Sequence, residues 1–251
     1  MTRLDVFDTI ERLRAENRPF VVATVVRSVD VTSAKAGAKA VFTSEDGIIG
    51  HLGGGCVQRA LKTAAMECLD TGETRLIRIK PVDDEDVAAE IDVHDSGCPS
   101  GGTIDLLIEA YRLPPRLVVI GDTPIAKAIM DIGAHLRFRM SICADVLEDI
   151  GRENIEPLNE EDMVIVASQG QGDRAALSAA LGCGAGRVAL IASRKKADFL
   201  RERLREDGIL EDHIARIKAP AGLDIGGVDP PEIAVSILAE MIEWSRARID
   251  I

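Results

Sequence analysis

Four consecutive residues, Gly53-Gly54-Gly55-Cys56, combine bare backbone with a thiol. The flanking pattern reads as a short strand over Gly47 to Leu52 and a helix that starts near Val57, so the thiol falls at a helix N-terminus. Residues without Cβ let amide groups come close to a ligand, and the unbonded N–H groups and positive dipole end of the helix favour negative charge. The same field favours a thiolate at Cys56. The chemistry on offer is anion binding beside a soft nucleophile. A tight turn that needs glycine, with a small cysteine packed behind it, is the other reading these residues allow.

Composition sets the frame for that site. The chain has 251 residues and a net charge of −12, with an apolar content normal for a globular protein. Nucleic-acid and anionic-membrane surfaces need clustered Lys and Arg, so this charge argues against both partners, and any anionic ligand is met locally. The stretch from Leu4 to Glu16 reads as a charged amphipathic helix and not as a secretory signal, and no apolar run approaches membrane-spanning length. The expected location is the cytoplasm. Five cysteines, Cys56, Cys68, Cys98, Cys143 and Cys183, include no CxxC pair and fit a reduced compartment better than a disulfide framework or a structural zinc site.

The elements that position the glycine run belong to the first of two unlike halves. Residues 1–112 read as an α+β domain: a helix, a strand from Phe20 to Val26, a small-residue loop from Asp30 to Gly37, two strands joined through Ser44-Glu45-Asp46-Gly47, the glycine run, a helix, and two further strands, the last from Thr103 to Tyr111. In the helix from Val57 to Asp70, Val57, Ala60, Leu61, Ala64 and Cys68 recur at helical spacing, which assigns Cys68 to packing and leaves Cys56 at the entrance. An acidic loop from Asp83 to Asp92 leads into His94 and Cys98, with His94 expected to be exposed.

Leu113-Pro114-Pro115 reads as the linker, because paired prolines continue neither a central strand nor a helix. Residues 116–251 then alternate strand and helix in the βαβ manner of a Rossmann-like parallel sheet, so the fold class is α/β with an N-terminal α+β domain. A last helix from Pro231 carries Ile233, Ile237, Leu238, Met241 and Trp244 on one stripe, which reads as core. That stripe leaves a homodimer open. The first βα turn runs Gly121-Asp122-Thr123-Pro124-Ile125-Ala126, with Thr123 in place of the close-approach glycine of a GxGxxA fingerprint and a carboxylate beside it. NAD binding is therefore disfavoured, although Asp145 lies at the offset of a ribose-binding acid.

Ala36-Gly37-Ala38-Lys39, Gly53-Gly54-Gly55-Cys56-Val57, Gly101-Gly102, Ser193-Arg194-Lys195-Lys196, Gly222-Leu223-Asp224-Ile225-Gly226 and Glu232-Ile233-Ala234 together resemble the XdhC/CoxI family, nearly end to end. The resemblance implies a maturation factor, not an enzyme, for molybdenum hydroxylases of the xanthine dehydrogenase or carbon monoxide dehydrogenase type. Such a protein binds the molybdenum cofactor, protects it, supports its sulfuration and delivers it to the large subunit of the apoenzyme, with a cysteine desulfurase as a further partner. The resemblance also implies a C-terminal Rossmann domain.

On that reading, Gly53, Gly54 and Gly55 offer amides to the cofactor's oxygens, and Cys56 offers a soft ligand or a persulfide carrier. Lys39 is expected to add counter-charge, and Thr32 and Ser33 to donate hydroxyls. Cys98, Gly101 and Gly102 are expected at the same pocket, although Ser100 stands where many relatives carry a cysteine. Asp224 and Arg194 are expected to line a cleft between the domains, where ligands commonly bind. A copper or sulfur carrier is the alternative, with Cys56 and Cys98 as metal ligands joined by His51 and His94. A nucleotide-binding oxidoreductase is the third class, weakened by the incomplete phosphate turn.

Overall fold

The structure is a computed structural model and describes residues 5–30, 33–81, 91–97, 102–143, 157–170 and 172–246. The chain divides into two compact units, Met1–Leu113 and Pro114–Ile251, with the paired prolines opening the second. No helix among the described residues is long and apolar enough to cross a membrane.

The N-terminal unit runs α1 (Val6–Ala15), β1 (Phe20–Val29), β2 (Lys39–Thr43), β3 (Gly47–Gly50), α2 (Gly55–Thr71), β4 (Arg75–Lys80), β5 (Asp92–Asp95) and β6 (Thr103–Tyr111). The strands form one sheet in the order β3-β2-β1-β6-β4-β5, parallel only between β4 and β5. Successive strand side chains alternate faces, and the two faces bury different helices. Val21, Ala23, Val25, Ala40 and Phe42 pack with Val57, Ala60, Leu61, Ala64, Ala65 and Cys68 of α2. On the opposite face, Phe20, Val22 and Val41 pack with Val6, Ile10 and Leu13 of α1. Tyr111 closes that second cluster by stacking on Phe20 at 4.8 Å between ring centroids. Helix α2 stops at Gly72, whose left-handed conformation (φ 79°) returns its amide to the Cys68 carbonyl at 2.8 Å.

Three features depart from the pattern expected of the sequence. Strand β1 runs on to Val29, because a register shift between Val25 and Arg27 lets it follow β6 past the point where its apolar alternation fails. Helix α2 starts at Gly55, two residues early, since Gly54 takes the N-cap position. Strand β5 was expected as loop: its sequence Asp-Val-His-Asp has no apolar run, and it is a strand by virtue of pairing with β4. His94 is accordingly half-buried opposite Ile79 and not exposed after a loop.

The C-terminal unit runs β7 (Arg116–Ile120), α3 (Pro124–Gly133), β8 (Arg139–Cys143), β9 (Met163–Val166), α4 (Asp173–Gly182), β10 (Arg187–Leu190), α5 (Arg194–Glu206), α6 (Glu211–Ala215), β11 (Ile217–Lys218) and α7 (Pro230–Arg246). Its sheet is parallel throughout, ordered β11-β10-β9-β7-β8, so the strand order reverses between β7 and β9. Both faces are covered, which is why β7, β9 and β10 are continuously apolar. Val118, Ile120, Val164, Val166, Val188 and Leu190 meet the helices α4, α5 and α6, while Leu117, Val119, Met163, Ile165 and Ala189 meet α3 and α7. The stripe of α7 is thus spent on its own sheet. Helix α6 and β11 were not expected from the sequence, since five and two residues are too few to show a period.

At the amino end of this sheet Asp162 is 0% exposed. It accepts from the Arg116 amide at 2.7 Å, from the Arg116 guanidinium at 2.9 and 3.0 Å, and from the Asn159 amide at 3.0 Å. A buried ion pair is costly to leave half-made, so Asp162→Ala is expected to lower stability by about 3–5 kcal/mol. Urea unfolding of the whole chain measures it. A loss below about 1 kcal/mol would show that the pair is as replaceable as a surface bridge.

Candidate functional site

The glycine run is held from both sides. Leu52 before it and Val57 after it are buried in the core under α2. Between them only Gly53 is demanded by the backbone: its φ is +133°, and a Cβ there would lie 3.2 Å from Val57 Cγ2 and 3.5 Å from Ser33 Oγ. Gly54 has φ −70°, and a Cβ would meet nothing within 4 Å. A Cβ on Gly55 would meet only Arg59 Nη1, at 3.9 Å. The fold does not require either residue to be glycine.

What these two residues leave open is the start of a helix. The first helical hydrogen bond is donated by Gln58 to the Gly54 carbonyl at 3.2 Å, so the amides of Gly55, Cys56 and Val57 precede the ladder. No side chain caps this end, and no acidic residue stands in its first turn. Cys56 is the second helical residue, half-buried, with its side chain against the core cluster. Cys68 lies deeper in the same cluster, where burial raises its thiol pKa and keeps it protonated.

The sheet register brings other candidates to the same end of the unit. Strands β1, β3, β4 and β5 end there and β2 and β6 begin there, as the pairs Ala40–Gly50, Val29–Thr103 and Ile79–Ile104 require. The segment Ala36–Lys39, the glycine run and Gly102 therefore open on one end of the sheet, and Ser33 reaches Gly53 itself. Lys39 points elsewhere. It donates from Nζ to Thr24 Oγ1 at 2.7 Å, on the face that carries Val22 and Val41 and not on the face of α2. His51 is exposed, and His94 sits on the edge strand β5. Among the described residues no group of three or more His, Cys, Asp or Glu side chains converges on a metal position. Cys98, Gly101, Thr32, Ser100 and Asp145 lie outside the described residues.

Arg59 escaped the sequence reading. Helical side chains lean towards the N-terminus, so a residue four positions on covers the preceding turn, and the Arg59 guanidinium lies over Gly55. The spacing from a bare N-terminal glycine is the signal that marks it.

In the C-terminal unit the first βα turn is closed from within. Gly121 has φ +128°, and a Cβ there would stand 2.6 Å from the Ala167 carbonyl. Thr123 Oγ1 accepts from the Ala126 amide at 3.1 Å and donates to that same carbonyl at 2.9 Å. The side chain in the close-approach position thus takes a helix-terminal amide and ties the ends of β7 and β9 together. Asp122 is exposed and pairs with Lys127 at 2.9 Å. At the next helix start Asp173, 4% exposed, accepts from the Ser168 hydroxyl and from the Gly170 amide at 3.0 Å, and the Lys196 ammonium lies against its other oxygen. Arg194 and Asp224 are exposed, at the start of α5 and in the turn from Gly222 to Gly226.

Residues 13–80 match the model of the XdhC and CoxI family, and residues 117–241 match that of the XdhC Rossmann domain. The chain belongs to the XdhC/CoxI family. Both units of the division are represented in those matches. The chain is 29% identical over 263 aligned positions to the uncharacterized protein YqeB of Escherichia coli (strain K12), an alignment covering 96% of this chain and 46% of YqeB. It thus spans about half the length of that curated relative. A crystal structure described as a xanthine dehydrogenase from Bacillus halodurans is 18% identical, with a TM-score of 0.44, covering 98% of this chain and 97% of that one.

Within the XdhC Rossmann unit, Asp173 gives a pH signature. Burial opposes its ionisation, but Lys196, Ser168 and the Gly170 amide outweigh that and hold its carboxyl below the ordinary range. A carboxyl depressed in the folded state adds stability above its unfolded pKa and loses it as pH falls through the folded pKa. Asp173→Asn is therefore expected to be less stable than wild type at pH 7, with the difference shrinking from about pH 4 downwards. Denaturant midpoints across pH measure this, and a pH-independent difference would assign the loss to packing alone.

Proposed function

We propose that this protein is a carrier that binds the molybdenum cofactor, protects it, supports sulfuration of its metal and hands it to an apo molybdenum hydroxylase. The observation that carries the reading is the pair Gly54 and Gly55, bare at an uncapped helix N-terminus without any backbone need for glycine. At the N-cap glycine is favoured over alanine, so Gly54 carries no cost, but Gly55 in the first turn gives up helix propensity with no contact in the fold requiring it, which a ligand that a Cβ would exclude accounts for. The cargo fits this cradle chemically, because it presents phosphate and oxo oxygens to amide donors and a metal to a soft ligand.

In this reading the amides of Gly55, Cys56 and Val57 take oxygens of the cargo, and the thiol of Cys56 serves as the soft ligand or the sulfur carrier. Ser33, against Gly53, adds a hydroxyl donor. Membership of the XdhC/CoxI family supports the maturation role, and the client is a molybdenum hydroxylase. The Thr123 cap supports placing the cargo in the N-terminal unit, since it occupies an amide that a Rossmann phosphate would use.

Purified protein mixed with isolated molybdenum cofactor is expected to retain molybdenum and pterin through gel filtration, without turnover. Cys56→Ser is expected to weaken retention by roughly tenfold, and Cys98→Ser tests whether the second thiol shares the site. Failure of wild type to retain the cofactor would overturn the reading. Gly54→Asp separates ligand from fold: a capping carboxylate is expected to stabilise the helix by a few tenths of a kcal/mol while abolishing retention. Unchanged retention in that variant would remove the cradle from the site.

A further inference from the structure

We infer that the outer face of α7 is where a second copy of this chain docks, as an antiparallel helix pair about a two-fold axis, an assignment independent of the carrier reading. The helix spends Ala234, Ile237, Leu238 and Met241 on its own sheet. Its opposite side carries a second apolar stripe, where a surface helix ordinarily turns charged and polar residues outward. Glu232, Val235, Ala239, Ile242 and Arg246 follow one another at alternating spacings of three and four residues, the seam of a coiled coil. Val235 is 47% and Ile242 39% exposed, and Val228, just ahead of the helix, is 80% exposed.

The ends of this seam select the partner and its direction. An acid, Glu232, opens it and a base, Arg246, closes it, both exposed. A two-fold axis across the helix at Ala239 sets Glu232 of each copy against Arg246 of the other, and Val235 against Ile242. A parallel pair would set like charges together at both ends. Ala239, midway along the seam, is the small side chain that lets two helices approach closely where they cross. Glu232 is fixed in place: its Oε2 accepts from the amides of Val228 and Asp229 at 2.9 and 3.3 Å, which hold its carboxyl below the ordinary range and keep it charged. With Glu243 also exposed beside the stripe, an anionic membrane surface is the wrong cover.

Sedimentation equilibrium of the full chain is expected to show monomer and dimer exchanging with concentration. One helix seam is smaller than a standard interface, so the dissociation constant is expected at roughly 10 μM. Each substitution enters the dimer twice, so Ile242→Glu is expected to weaken association by about a hundredfold or more and Arg246→Glu by about tenfold, while Arg246→Lys stays near wild type. Ala239→Cys tests position. A residue on the axis meets its own counterpart, so oxidised glutathione is expected to link two copies of Ala239→Cys and neither wild type nor Val235→Cys.

A monomer at every concentration would overturn the inference. A dimer that Ile242→Glu leaves intact and Ala239→Cys does not link would do so as well, since the contact would then lie on another surface. If the seam is covered by another part of the same chain, Ile242→Glu lowers the denaturant midpoint of a protein that is monomeric throughout, and the second copy is ruled out. Cofactor retention reads out separately: its failure in wild type sinks the carrier and leaves the dimer standing, and a monomer that retains the cofactor does the reverse.

Discussion

The site depends on two buried side chains that make no contact with a ligand. Leu52 and Val57 pin the polypeptide into the core on either side of the glycine run, and everything between them has to turn within four residues. Gly53 absorbs that turn with a left-handed backbone pressed on Val57 and Ser33. Because the strain is taken there, Gly54 and Gly55 sit in ordinary conformations, free to carry any side chain and carrying none. A helix start that is rigid and bare is preorganised for a ligand, which then pays little to order it.

The helices of this chain meet the same physical problem in different ways, α1 with the Asp5 side chain as its cap. Every helix start leaves amides without partners, and these must be met by a side chain, water or a ligand. Helix α3 is capped by Thr123 and α5 by Ser193, whereas α4 starts after Gly172 without a side-chain cap but places the acidic Asp173 in its first turn. The ends of α3 and α5 are met by the chain itself, and that of α4 gains a negative charge against its dipole. The start of α2 has a glycine in the capping position and neither a capping side chain nor an acidic residue in its first turn, which sets it apart from these others.

Much of the fold was legible in the sequence because its elements are driven by burial with a clear period. The parallel strands are unbroken apolar runs, and the core face of α2 repeats at helical spacing. What was illegible is owed to partners and not to pattern. Strand β5 exists through its pairing with β4, and the extension of β1 through a bulge opposite β6. At the candidate site, the turn at Gly53 and the helix start behind it could be read directly, since the glycines and the apolar residues that flank them mark both. Lys39 misled, because strand alternation sends its side chain to the face of α1, where Thr24 receives it. Arg59 was hidden, since a single arginine in a helix reads as surface until the bare turn beneath it is seen.

Charge then decides what size of anion such a turn can accept. The chain carries 42 acidic against 30 basic residues, and many of the basic ones are tied into surface pairs. At physiological ionic strength a field is screened over about 8 Å, so a small anion at the start of α2 senses mainly the local amides and guanidinium. A polyanion extends over many such lengths and meets the net negative surface as well. The proposed binding of a compact oxyanion at one helix start is thus compatible with an acidic chain, whereas nucleic acid, whose affinity is built from many phosphate contacts at once, is disfavoured.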